Sequence, residues 1–316
     1  MIIAIDEVGD FAPTSQRYNF FIAALVSQIG NSVETKRQHF EEWKGSLQAG
    51  RFTKQGEIKG TELTSEELLI FVRDVIIAEP HIVPVQIRII PKENSVATLQ
   101  SFQQVELDAI TLSMEYFKEH GMSEREVFFR KMRNWYRNRN YQHFLKMAAL
   151  EHCIGRALQY AIGRSIFDSY VNASDDNLMN LRIKIDKDFI NKAGEIKYFQ
   201  ELLRQAFRSI TERYPIPIAV EMVQNNHPFV QAYLLENGKI NMAQLFLHNC
   251  TFESSHTNFE LQIADILGTV FHRFFNKNQC QDSIDLINES LGSKGQVRIH
   301  FIANPNPDTE AKIVIE

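Results

Sequence analysis

The residues of this chain best suited to chemistry are carboxylates set in apolar or glycine-rich surroundings. Asp6, Glu7 and Asp10 follow directly on the apolar run 2–5, which reads as a strand buried on both faces. A charge leaving a buried strand is costly to desolvate, so it is normally paired with a base or bound to a cation. Asp265 lies in a helical run, 261–271, whose only polar side chains are Gln262, Asp265 and Thr269. Steps of three and four put these in one narrow stripe, extended by His272, on a helix otherwise apolar all round. Such a helix must be buried, with its stripe toward a polar cleft. Asp186 ends the alternating strand 181–186 on its polar side, with Asp188 two residues on. Glu57 stands beside Lys59 in the segment Gly56-Glu57-Ile58-Lys59-Gly60.

Four separated acids that converge repel one another unless a cation lies between them. Mg2+ or Mn2+ takes carboxylate oxygens and keeps positions for water and phosphate. Two such ions about 4 Å apart activate a water and stabilise the leaving oxygen of a phosphodiester. On that reading Asp6, Glu57, Asp186 and Asp265 are the metal ligands and catalytic acids, Glu7 or Asp188 assists, and Lys59 neutralises a phosphate. Taken singly, each acid also has a plain structural reading, as a cap or as the partner of a nearby base.

The elements that must position these groups alternate in type. A turn at 11–17 joins the first strand to a second, 18–26, antiparallel to it. A helix at 33–47 follows, and Thr64 with Glu67 three residues on forms a capping box for another. Residues 82–90 read as a strand. From 95 to 168 the pattern is helical only, with long amphipathic helices at 96–120 and 141–167. That stretch is either an insertion that touches a partner or a second copy of the chain, or a helical layer over the sheet. Helices at 195–214 and 259–275, a strand at 216–222 and an edge strand or loop from 292 complete the pass. The fold class is therefore α/β, a single domain over 1–316 with a mixed sheet flanked by helices and a helical insertion at 95–168.

Hydrophobic residues make up 44% and charged residues 23% of the 316, the balance of an ordinary soluble globular chain. No apolar run approaches the roughly 20 residues of a membrane span, and the start lacks a secretory pattern, so a cytoplasmic setting without a membrane partner is expected. Three scattered cysteines fit a reducing compartment, and His248, Cys250 and His256 match no zinc spacing. The net charge is −5, yet the segment 125–139 carries six basic residues against one acid. Arg130, Lys131, Arg133, Trp135 and Arg137 within it have the composition that grips phosphates and unpaired bases. The other reading is a solvated loop whose aromatics anchor it to the core.

Ile5-Asp6-Glu7-Val8-Gly9-Asp10-Phe11 resembles the opening of the domain of unknown function 3800 family, whose members begin with an Asp-Glu-Ser-Gly motif and are regarded as ribonuclease H-like. Gly56-Glu57-Ile58-Lys59-Gly60 resembles its second motif, Ile183-Lys184-Ile185-Asp186 its later strand, and Leu261-Gln262-Ile263-Ala264-Asp265-Ile266-Leu267-Gly268 its closing Gln-x-Ala-Asp helix. The pieces are short but occur in order, and the helical stretch is not covered. The resemblance implies a mixed five-stranded sheet, with metal-binding carboxylates from the first strand, a later strand and the last helix. The expected function is a Mg2+- or Mn2+-dependent nuclease acting on DNA or RNA, in defence or mobile-element biology. Val8 stands where the family commonly has serine. That departure motivates a second reading, a catalytically inactive nucleic-acid- or partner-binding protein of the same fold. Hydrolase elbows, phosphate-binding Gly-Lys-Ser/Thr loops and dinucleotide fingerprints are absent.

Overall fold

The computed structural model describes residues 1–12, 17–26, 32–53, 56–78, 82–89, 96–171, 178, 180–187, 193–213, 228–236, 238–292 and 299–302. At its centre is β1 (Ile2–Val8), which has no polar side chain before Asp6 and is buried from Ile2 to Ile5. It pairs antiparallel with β2 (Asn19–Val26), buried along its whole length, from Ile2 opposite Val26 to Val8 opposite Phe20. Beyond β2 lie β3 (Ile82–Ile89), antiparallel to it, and β6 (Ile299–Ile302), parallel to β3. On the other side of β1 lie β4 (Arg182–Asp186) and β5 (Cys250–Glu253), both parallel. The order is β5-β4-β1-β2-β3-β6, and β2 alone runs against the rest. The mixed sheet and its opening hairpin are as expected. It has six strands rather than five, because the segment 299–302 pairs at the β3 edge.

The chain builds β2 and β3 on one side of β1 before crossing to β4 and β5 on the other. The carboxyl ends of β1 and β4 therefore flank a topological switch point, the place where open α/β sheets bind ligands. Asp6 and Asp186 stand at those ends.

Ten α-helices are assigned among the described residues. α1 (Ser32–Gly45) precedes α2 (Ser65–Phe71), whose capping box is present: Thr64 Oγ1 accepts from Glu67 N and Glu67 Oε2 accepts from Thr64 N. α2 runs on into a π-helical turn, Val72–Ile77. α3 (Val96–Glu119), α4 (Ser123–Arg137) and α5 (Tyr141–Val171) follow. α6 (Ile196–Arg213), α7 (Pro228–Tyr233), α8 (Met242–Asn249), α9 (Phe259–Lys277) and α10 (Gln281–Gly292) complete the set. The segment 125–139, expected to lie between two helices, lies largely within α4. Its aromatic and apolar residues recur at helical spacing, and Phe129, Met132 and Tyr136 are buried. The strand expected at 216–222 and Asp188 lie outside the described residues. Among those residues no helix is long and apolar enough to cross a membrane.

The helical stretch divides between two cores. α5 covers the sheet, contributing Ala149, Leu150, Cys153 and Ile154 to the main core. α3 and α4 stand apart on a second core of Leu107, Ile110, Phe129 and Met132, closed by Phe144 of α5 and Leu202 of α6.

Alternation along β1 sends Asp6 and Val8 toward α9 and Glu7 toward α5. α9 is buried nearly all round and presses close to β1 at Gly268, where an added Cβ would lie 2.3 Å from Val8 Cγ2. Glycine normally weakens a helix by about 1 kcal/mol relative to alanine. Here overpacking, worth about 1–3 kcal/mol, acts in the opposite direction. Gly268→Ala should therefore lower stability in chemical denaturation, and adding Val8→Ala should recover most of the loss. Equal losses in the single and double variants would show that this contact does not set the α9–β1 spacing.

Candidate active site

The parallel register aligns the first two acids. Ile5 pairs with Ile185, so Asp6 and Asp186 are the next residues on adjacent strands, and Asp186 pairs in turn with Glu253 of β5. Asp186 is buried. Burial pushes the Asp6 carboxyl well above the usual range, and the charges of Asp265 and Asp186 push it further, against the hydrogen bond it accepts from Glu7 N at 2.7 Å. Glu253 shares the row but has structural partners. It accepts from Asn258 Nδ2 at 2.6 Å and from Thr251 Oγ1 at 2.7 Å. Lys184 lies 3.8 Å from Glu253 and 3.4 Å from the buried Glu260, which ties the N-terminus of α9 to β4 and β5.

α9 supplies the third acid, and the 57–62 segment lies along its polar stripe. Asp265 Oδ2 accepts from Gly60 N at 3.1 Å, and Arg273 Nη2 donates to Thr61 O at 2.9 Å. Gly60 sits so close that a Cβ would lie 2.3 Å from Thr269 Oγ1. This approach brings in Glu57, which is buried and accepts from Ser255 Oγ at 2.5 Å and from Lys59 Nζ at 2.9 Å. Burial raises the Asp265 carboxyl, as do Glu57 and Asp186, while Gly60 N–H and Lys59 lower it. Burial opposes the Lys59 charge, but the Glu57 hydrogen bond and the fields of Glu57, Asp265 and Asp6 outweigh it and raise its pKa. The four acids expected to converge thus lie in one electrostatic neighbourhood with Lys59.

No known family model, curated protein or solved structure matches the chain.

The site must therefore be judged on its own chemistry. Among the described residues no three carboxylate, imidazole or thiolate groups are placed to hold one ion by themselves. The donor set still suits a hard divalent cation. It is oxygen-only and carries more negative charge than Lys59 offsets. Gln262, in the same stripe, has a buried Oε1 with no hydrogen-bond partner among the described residues, while its Nε2 donates to Ser255 O at 2.9 Å. Mg2+ commonly uses one or two carboxylates and fills its remaining positions with water and phosphate oxygens.

Several expected residues lie elsewhere. Glu7 points to the opposite sheet face and forms an ion pair with Lys146 of α5, so it does not assist Asp6. Asp10 is exposed and accepts from Ala12 N in the turn. On α4, Trp135 packs on Tyr198 with ring centroids 5.6 Å apart, Arg133 Nε donates to Thr111 Oγ1 at 2.7 Å, and Arg130 pairs with Glu126. Lys131 and Arg137 are exposed. The aromatics of this segment thus help anchor it, with Trp135 and Phe128 both half-buried against Tyr198. Sequence reading missed Ser255, whose contact with Glu57 no local pattern announces.

Raised carboxyl pKa values mean that the folded state holds more protons than the unfolded chain above about pH 4, so stability from this cluster falls as pH rises. In chelator, Asp6→Asn should raise the melting temperature by a few degrees near neutral pH, at about 2–4 °C per kcal/mol, with a smaller gain at about pH 5. Mg2+ should stabilise wild type more than the variant. A lowered melting temperature for Asp6→Asn in chelator would contradict the repulsion.

Proposed function

We propose that the chain is a divalent-metal-dependent phosphodiesterase acting on nucleic acid, with a ribonuclease H-like arrangement of its site. The observation that carries this reading is the mutual field of Asp6, Asp186, Asp265 and Glu57 around Lys59 at the switch point of the sheet. Its support is that one acid lies near the carboxyl end of the first strand, one ends a later strand and one lies on a late buried helix, the pattern the domain of unknown function 3800 resemblance implies.

Asp6, Asp186, Asp265 and Glu57 would hold Mg2+ or Mn2+, with two ions as the expected number. When bound, these ions supply Lewis-acid stabilisation and a water of lowered pKa. The protein's own groups have distinct tasks. Gly60 N–H fixes one Asp265 oxygen and leaves the other free to ligate. Ser255 orients the Glu57 carboxylate from the buried side. Lys59, kept protonated by its acidic neighbours and only partly buried, can hold a phosphate oxygen at the mouth. A second reading keeps the fold as a nucleic-acid- or partner-binding protein without turnover. Val8 favours it, because it packs against Gly268 and offers no hydroxyl beside Asp6.

Labelled single- and double-stranded DNA and RNA, incubated with Mg2+, Mn2+ or chelator, separate the two readings. Metal-dependent cleavage is expected, falling by about two orders of magnitude or more in Asp6→Asn and Asp265→Asn. Ser255→Ala, which acts through Glu57, should cost about 10–100-fold and weaken metal affinity. Binding without cleavage, unchanged in the Asn variants, would establish the second reading. Cleavage that is identical in wild type and both Asn variants would refute the assigned ligands.

A further inference from the structure

The outer face of the α3–α4 hairpin plays no part in the site and has an unusual composition. Val105, Leu112 and Tyr116 are 64%, 68% and 52% exposed, although all three are large and apolar. Their spacing of seven and four puts them in one stripe on α3, opposite the side that buries Leu107 and Ile110. An apolar stripe three turns long on a helix already packed on its other side marks a surface built to be covered.

Charge selects the cover. α3 has four acids and one base, so its net charge is −3; Asp108, Glu115 and Glu119 are exposed and border the stripe. α4 has five bases and two acids, +3, with Arg130, Lys131 and Arg137 exposed. The two helices are neighbours in the hairpin, so an apolar, acidic helix stands next to a basic one. Such a pair is complementary to itself. A twofold axis running along the hairpin sets α3 of one copy over α4 of the other, acid against base. A twofold axis across it would oppose acid to acid. A nucleic-acid strand fits less well, because the acids and the apolar stripe would lie against its phosphates.

We propose that the α3–α4 hairpin is a homodimer interface in which the Val105, Leu112 and Tyr116 stripe and the α3 acids of one copy cover α4 of the other. The inference does not depend on the proposed enzymatic function.

Sedimentation equilibrium of the full chain tests it. Wild type should dimerise, while Leu112→Glu and the pair Arg130→Glu/Arg137→Glu should each weaken association at least about tenfold. All three positions are exposed, so circular dichroism and melting should show folded monomers. Adding Asp108→Lys/Glu115→Lys to the Arg130→Glu/Arg137→Glu chain should restore the dimer, an outcome that misfolding cannot produce. A wild type that stays monomeric up to about 100 µM, or a dimer indifferent to Leu112→Glu, overturns the proposal. So does a monomer whose binding to single-stranded DNA is lost on Arg130→Glu/Arg137→Glu, which would give this face to nucleic acid instead.

Discussion

Like charges in a poorly hydrated place repel, and the carboxyl ends of this sheet's central strands bring several together. Asp6, near the carboxyl end of β1, and Asp186, at the end of β4, share a row on adjacent parallel strands, and Asp265 comes down from α9 to meet their field. Folding alone gains nothing from this, since hydrophobic groups there would be cheaper to bury. The surrounding structure instead resists the repulsion. Lys184 gathers Glu253 and Glu260, Arg273 holds the turn at Thr61, and close packing at Gly268 and Gly60 leaves the acids little room to move apart.

The two glycines act at different layers of the same assembly. Gly268 lets α9 lie against β1, which sets how far Asp265 stands from the strand ends. Gly60 lets the 57–62 segment lie against α9, which brings Glu57 and Lys59 to the same place. A helix stripe of Gln262, Asp265 and Thr269 is thereby used along its length: one residue anchors the Ser255 turn, one carries the charge, and one receives the glycine.

Much of this was legible in the order of residues. A run with no polar side chain before Asp6 could only be a buried strand, and an apolar helix with one polar stripe could only be a buried helix facing something polar. The Thr64–Glu67 cap was readable because its partners are three residues apart. Glu57 could be flagged but not placed, because its position depends on glycine contacts with a helix some two hundred residues away. Glu7 misled for a local reason: beside Asp6 in sequence, it faces the other side of the sheet. For the basic segment, arginine and aromatic content is the same whether or not the rings also pack internally, as they do here against Tyr198, Phe117 and Phe144, so composition could not place those rings.

The order of strands also has a bearing on time. β1 and β2 are neighbours in sequence and can zip together as soon as both have left the ribosome, whereas β4 and α9 come from much later in the chain. Synthesis therefore yields a hairpin core long before it yields a competent centre, and a polypeptide interrupted ahead of α9 would carry Asp6, Glu57 and Asp186 without Asp265 and without the helix that Gly60 packs against. Whatever reactivity these acids support is withheld until α9 has been made.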